Sequence, residues 1–212
     1  MINCVLWDFN GTLIDDAAYG RRVINAVLRK HGLPEIQTME EYRERFCFPV
    51  RTFYDGVGLG GATYDQAAVE WTEEYYAHED ECRLRTGVLE TVQALHALHI
   101  RQAVISASPQ EALERQLGRQ GITPYFERVM GLSDIHARSK VHLAQMFMRE
   151  SGISPEKTLF VGDTPHDAET ARAISCRCVL VTGGHQTEAA LRETGCPVLT
   201  DILQVPEVVR QG

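Results

Sequence analysis

The chain has 212 residues, 44% of them hydrophobic and 24% charged, enough for one well-filled core with a small accessory unit and unlike a disordered chain. With 21 basic residues against 29 acidic ones and a formal net charge of −8, it lacks the basic face that a general nucleic-acid binder needs to neutralise phosphates. Neither a leader-like N-terminus nor an apolar run approaching about 18 residues is seen, so the expectation is a cytoplasmic protein that neither enters nor binds a membrane.

The first element is an apolar run, Cys4-Val5-Leu6-Trp7, that stops at Asp8 and opens through Phe9 and Asn10 into Gly11-Thr12. It reads as a strand, Cys4–Asp8, that ends in a carboxylate. In an open α/β sheet the ligand crevice lies beyond the carboxyl ends of the strands, and a glycine there lets backbone amides approach an anion. Asp8 therefore reads as a nucleophile, with a turn former or helix cap as the competing reading.

From about Asp16 to Arg85 no strand pattern appears, and the segment reads as several helices. The first spans Ala17–His31 and stops at Gly32. The last spans Tyr64–Glu81 and carries Ala67, Ala68, Trp71, Tyr75 and His78 at helical spacing, the stripe of a small helical core. Between them, Phe46–Arg51 with its proline and Gly56–Gly61 with its glycines read as loops. A helical insert placed directly after the presumed nucleophile is positioned to close over it, exclude water and choose substrates.

Beyond the insert, strand-length apolar runs alternate with helix-period segments, the pattern of a parallel sheet covered by helices. Strands are expected at Gln102–Ser106, Arg128–Gly131, Thr158–Gly162, Cys178–Thr182 and Pro197–Leu199. Helices are expected at Val88–His99, Pro109–Gln120, Ser139–Ser151, Pro165–Ile174 and Thr187–Thr194. The fold class is a doubly wound, mostly parallel α/β sheet. Residues 1–15 and 86–212 would form its core domain and 16–85 an all-helical cap. The six cysteines are scattered without paired metal-ligand spacing and read as core thiols, the Cys176/Cys178 pair included.

Three further groups fall at strand ends or helix starts of this core. The strand through Ala103-Val104-Ile105 ends in Ser106-Ala107-Ser108, which offers a hydroxyl and exposed amides. Lys140 follows Ser139 at a helix start, a poor place for a cation unless an anion is bound nearby. Leu159-Phe160-Val161 runs into Gly162-Asp163-Thr164-Pro165-His166-Asp167, with two carboxylates four residues apart. Together with Asp8 they supply the hard oxygen ligands that Mg²⁺ prefers, with positions left for water and a substrate phosphate.

In this order the four pieces resemble the motifs of the haloacid dehalogenase superfamily, whose members are mostly Mg²⁺-dependent phosphatases. Asp8 to Thr12 matches the first motif, Ser106 the second, Lys140 the third, and Gly162, Asp163 and Asp167 the fourth. The insert resembles the helical cap of phosphoglycolate-phosphatase-like members. The resemblance implies that Asp8 attacks phosphorus and forms an aspartyl phosphate that water hydrolyses. Mg²⁺ would be held by Asp8, the backbone carbonyl of Asn10, and Asp163 or Asp167. Ser106, Lys140 and turn amides, at Phe9, Thr12 and Ala107 among them, would hold the phosphoryl oxygens.

One position departs from the pattern. Most phosphatases of the family carry an Asp two residues after the nucleophile as general acid and base, and here that residue is Asn10. An amide transfers no proton at neutral pH, so about 10²–10⁴-fold of rate is at stake, most of all for alkoxide leaving groups. Three readings follow. The preferred one is a phosphatase in which Asp15, Asp16, His166 or a cap residue supplies the proton. The second is a phosphonatase-like hydrolase, disfavoured because the insert offers only Lys30 for a Schiff base and Arg51 stands at the loop position expected to carry that amine. The third is a phosphoryl-binding or regulatory protein without turnover. The substrate is expected to be a small phosphorylated metabolite, with Arg51 as the cap residue placed to reach a second anionic group.

Overall fold

The computed structural model describes residues 1–132 and 139–212. Among the described residues, the strands β1 (Cys4–Trp7), β4 (Arg101–Pro109), β5 (Arg128–Leu132), β6 (Thr158–Gly162), β7 (Arg177–Val181) and β8 (Val198–Leu199) form the main sheet. All six are parallel, in the order β5-β4-β1-β6-β7-β8. The chain starts in the middle, winds outward on one side through β4 and β5, and returns to wind outward on the other. The order reverses between β1 and β6, which makes the carboxyl end of that pair the crevice of the sheet. Trp7 is aligned with both Val104 of β4 and Val161 of β6, so β1 and β6 end at nearly one level while β4 runs on past them.

Each strand of the centre is buried on both faces, as a parallel sheet between helices requires. Val5 and Trp7 of β1 join Val104 and Val161 in one apolar cluster, while Cys4 and Leu6 join Ala103, Ile105 and Phe160 in the other. The alternation follows from the two-residue period of a strand. Helices α5 (Val88–Ala97), α6 (Gln110–Gln120), α7 (Lys140–Ser151), α8 (Pro165–Ala173), α9 (Glu188–Glu193) and α10 (Val205–Gln211) connect and flank the strands. Strand β4 is longer than expected. It continues through Ser106-Ala107-Ser108 with a register irregularity between Ile105 and Pro109, and the proline favours extended backbone at Ser108.

Among the described residues, the interval from Asp16 to Arg85 carries four α-helices, α1 (Ala17–Lys30), α2 (Met39–Arg45), α3 (Val50–Gly56) and α4 (Tyr64–Ala77). Ile24, Val27 and Leu28 of α1 pack with Tyr42, Phe53, Tyr54 and Ala67 in a separate apolar cluster. Thr38 caps α2 by accepting a hydrogen bond from Glu41 N at 3.0 Å, the usual role of a threonine before a helix.

The structure corrects three expectations in this interval. A two-residue antiparallel ladder closes it, β2 (Ile14–Asp15) with β3 (Arg83–Leu84), in a stretch too short to show alternation. Helix α4 ends at Ala77, so His78 is exposed and outside the helical core. Val50 and Arg51 begin helix α3 and are not in a loop. No helix among the described residues is long and apolar enough to cross a membrane.

Candidate active site

The crevice between β1 and β6 gathers three carboxylates and one ammonium group. Asp8, directly after β1, and Asp163 and Asp167, at the corner from β6 into α8, are all buried, and one oxygen of each lies within 4.8 Å of the others. Lys140, the first residue of α7, projects between two of them and pairs with Asp8 Oδ1 and Asp167 Oδ1. The expected anion beside this helix start is therefore supplied by the protein itself. The Thr12 hydroxyl lies 3.3 Å from Asp8 Oδ2 and 3.1 Å from Asp163 Oδ1, so its proton is shared between two acids.

The two acids of the β6–α8 corner do different work. Asp167 Oδ2 accepts from Asp163 N, Thr164 N and the Thr164 hydroxyl at 3.1, 2.9 and 2.8 Å, while its other oxygen holds Lys140. It fixes the turn. Asp163 accepts His185 N at 2.7 Å and the Thr12 hydroxyl, one bond to each oxygen, and keeps a lone pair on each for a further partner. Burial pushes the Asp8 carboxyl well above its ordinary range, and the neighbouring Asp167 and Asp163 add to the effect against the opposing pull of Lys140. Burial raises Asp163 as well. For Lys140 burial acts downward, but Asp167 and Asp8 outweigh it and hold the ammonium form above its usual value. Three acids facing one base leave an excess of negative charge, and a dense set of carboxylate oxygens is what a hard divalent cation requires.

Two glycines make this packing possible. Gly11 has φ +72°, and a Cβ there would overlap the Asp163 carboxylate; a Cβ on Gly184 would overlap the same group from the other side. Only glycine permits the left-handed turn and the close approach together.

Asn10 lies at the edge of the cluster and is held on every side. Its Nδ2 donates to Asp16 Oδ2 at 2.7 Å and to the Tyr75 hydroxyl at 3.0 Å, and its Oδ1 accepts from the Ser108 hydroxyl at 2.7 Å. Asp16 also accepts Gly11 N at 2.7 Å and the Tyr75 hydroxyl at 2.7 Å, and its Oδ1 is 3.2 Å from His185 Nε2. His185 Nδ1 meets the Tyr42 hydroxyl at 2.9 Å. Burial alone would favour neutral imidazole, but the Asp16 charge overrides it and lifts His185 to about 9. In return Asp16, which burial would raise, is held below its ordinary value, first by the charge of His185.

Above these groups opens a cavity of about 290 Å³ whose floor is Asp8, Asn10, Asp16, Ser106, Ala107, Lys140, Asp163 and His185. Its far wall comes from the helical insert. The insert is fastened to the core by Arg43, which donates to the carbonyls of Gly184 and Gly183 at 2.9 and 3.0 Å, and by Phe48 stacked on His166 at 4.8 Å.

The structure brings Asp8, Asn10, Ser106, Ala107, Lys140, Asp163 and Asp167 together. At Phe9 and Thr12 the expected contacts are backbone amides, which burial of the side chains leaves in the turn; Arg51 is the expected contact that lies elsewhere. Thr12 is fully buried beneath the acids, and the Phe9 side chain is fully buried in the core, leaving only its backbone near the site. Arg51 lies over the Tyr64 ring at 4.5 Å, outside the cavity wall, because its position on α3 turns it away. Of the candidate proton donors, Asp15 is exposed on β2 and His166 contacts Glu169 and Phe48, whereas Asp16 faces Asn10. Sequence reasoning missed His185, Ser108 and Tyr75. The signal for His185 was available, since it closes a Gly183-Gly184 turn four residues past the end of β7, at the same edge of the sheet as Asp8 and Asp163.

Comparison with known proteins agrees with this geometry. The model of the haloacid dehalogenase-like hydrolase family matches residues 5–181. Phosphoglycolate phosphatase 1 of Pseudomonas aeruginosa is 25% identical over 209 residues, covering 94% of this chain and 76% of that protein. The phosphoglycolate phosphatase of Synechococcus elongatus is 26% identical over 220 residues, covering 99% of this chain and all of that protein. Among solved structures, a haloacid dehalogenase-like family hydrolase from Streptococcus pneumoniae superimposes with a TM-score of 0.86 at 18% identity over 98% of both chains. The chain belongs to the haloacid dehalogenase-like hydrolases, and within them it is similar to the phosphoglycolate phosphatases.

Proposed function

We propose that the chain is a Mg²⁺-dependent phosphatase that hydrolyses a small phosphorylated metabolite through an aspartyl phosphate on Asp8. The observation that carries this reading is the buried Asp8–Asp163–Asp167 cluster facing Lys140 at the ends of adjacent strands. The donor set fits Mg²⁺, with Asp8, Asp163 and the Asn10 carbonyl as ligands and Asp167 as the residue that orients the turn and Lys140. Bound Mg²⁺ would compensate the charge of the acids and of the phosphoryl group, and keep Asp8 ionised for attack.

Asp8 then adds to phosphorus as the ester oxygen leaves in line on the far side. Lys140 and the Ser106 hydroxyl hold phosphoryl oxygens, and Thr12 keeps Asp8 and Asp163 in register. Residues 16–85 act as the cap on a core of residues 1–15 and 86–212, shielding the intermediate from bulk water until hydrolysis. Relatives named for phosphoglycolate support a small phosphorylated substrate.

The test is phosphate release from a panel of small phosphoesters with Mg²⁺ and with chelator, using Asp8→Asn as the control. Metal-dependent release that Asp8→Asn abolishes is expected. Absence of release from wild type, with turnover gained by Asn10→Asp, would establish the phosphoryl-binding reading in its place.

A further inference from the structure

Two independent features of the cavity restrict what can leave from the phosphorus. The first is the state of Asn10. Both amide hydrogens are donated to Asp16 and Tyr75, and its oxygen accepts from Ser108. The residue at the usual position of the general acid therefore has no transferable proton, and no free N–H to turn toward a leaving oxygen; Asp16, the candidate donor that faces it, is occupied as an acceptor by Asn10, Gly11, Tyr75 and His185 and does not supply one. An alkoxide expelled without protonation is a poor leaving group, whereas a phenolate is stable enough to depart as the anion.

The second is the wall opposite Asp8. Phe46, Phe48, Phe53, Trp71, Tyr75 and Tyr76 line it, arranged edge to face around Phe46 and stacked at Trp71–Tyr75, 4.8 Å apart. Such rings favour an aromatic guest through offset and edge contacts. Among the described lining residues, the side chains able to carry positive charge are Lys140 and His185, and both already face carboxylates. Nothing in that wall offers a counter-charge to a carboxylate or a second phosphate. At about 290 Å³ the cavity is at the small end for ligand sites and suits a phosphoryl group with one ring.

We propose that the natural substrate is the phosphate monoester of an uncharged phenol-like aromatic compound. The inference rests on the phosphatase reading above and names its substrate class. In the first step the Asp8 oxygen forms a bond to phosphorus, and the P–O(aryl) bond breaks with its electron pair passing to the phenolate, which takes a proton from solvent. In the second, water adds to phosphorus and Asp8 leaves as carboxylate. The sum is aryl phosphate plus water giving phenol plus inorganic phosphate.

Four probes separate the two features: phenyl phosphate (ring and good leaving group), 2-phenylethyl phosphate (ring, alkoxide), hexafluoroisopropyl phosphate (leaving group of phenol-like acidity, no ring) and phosphoglycolate (neither, and charged). With Mg²⁺, and after subtraction of the Asp8→Asn background, kcat/KM for phenyl phosphate should exceed that for hexafluoroisopropyl phosphate by about tenfold. It should exceed that for 2-phenylethyl phosphate by roughly 100-fold. Phe48→Arg gives up the stack on His166 and puts a cation in the wall; in the folded variant it should raise KM for phenyl phosphate and lower it for phosphoglycolate. Hexafluoroisopropyl phosphate, 2-phenylethyl phosphate or phosphoglycolate matching phenyl phosphate would overturn the substrate class while leaving the phosphatase intact. No release from any of the four by folded protein would overturn the phosphatase reading and the inference with it.

Discussion

Asn10 and Asp16 share a hydrogen bond of 2.7 Å from amide nitrogen to carboxylate oxygen, half-buried at the floor of the cavity. The contact defines what a substitution at residue 10 would do. In Asn10→Asp two carboxyls would face each other at this distance, and like charges so close cannot both ionise, so one proton is retained between them. Turnover of alkyl phosphates should rise by about 10²-fold as the restored acid protonates the leaving oxygen. Thermal stability should fall by about 1–3 kcal/mol from the strained pair. Initial rates with alkyl phosphates, alongside melting curves, check both outcomes, and an unchanged rate would mean that residue 10 does not face the leaving group.

Asp8 is a stability cost as well as a nucleophile. Burial and two neighbouring carboxylates push its pKa well up, so its ionised form destabilises the metal-free protein at neutral pH. Asp8→Asn removes one negative charge and leaves Lys140 paired with Asp167. In chelator the variant should be at least as stable as wild type and devoid of turnover, the pattern of an active site held against its own stability. Parallel melts and assays test it, and a large drop in melting temperature would show that the Asp8–Lys140 pair dominates.

The Asp16–His185 pair predicts a pH dependence of stability in chelator. His185 is raised from 6.5 to about 9, so its contribution is fully present below about pH 6.5 and is lost as pH rises through 9. Asp16 is depressed below 3.8, so its contribution is present above about pH 4 and is lost as pH falls through the lowered value. The pair therefore stabilises most between about pH 4 and 6.5, by on the order of 3 kcal/mol. His185→Gln should be markedly less stable than wild type at pH 6, and the difference should close by pH 10. A difference independent of pH in urea titrations would assign His185 a packing role only.

Gly11→Ala combines a strained left-handed turn with overlap on Asp163. It should cost about 2–4 kcal/mol and most of the activity, because relief requires Asp163 or the turn to move. Gly32→Ala is the control, since that glycine also has positive φ but nothing near its Cβ, and it should lose only the conformational part. Equal losses in the two variants would show that crowding at Asp163 is unimportant.

Much of this site was legible because its parts are local. A strand that ends in Asp8, a lysine at a helix start and Asp163 with Asp167 at a strand-to-helix corner each announce themselves within a few residues, and a parallel sheet must bring such ends to one edge. Arg51 misleads because the loop signal of Phe46–Arg51 hides the start of a helix of about two turns that begins at Val50, and the side chain's direction depends on that helix. His185 and Ser108 were missed because each acts on a residue far away in sequence, on Asp16 and Asn10 respectively.

The sequence by itself determined the alternating elements, the order of the acids and the lysine, and the replacement of the expected acid by Asn10, all of which are set by side-chain periodicity and residue identity. Tertiary structure decided the rest. The division of labour between Asp163 and Asp167, the locking of Asn10 by three partners, and the aromatic wall without a free cation each depend on which distant side chains meet. Such meetings are fixed by packing the insert against the sheet and by the need to satisfy buried polar groups, and no local stretch of sequence carries that information.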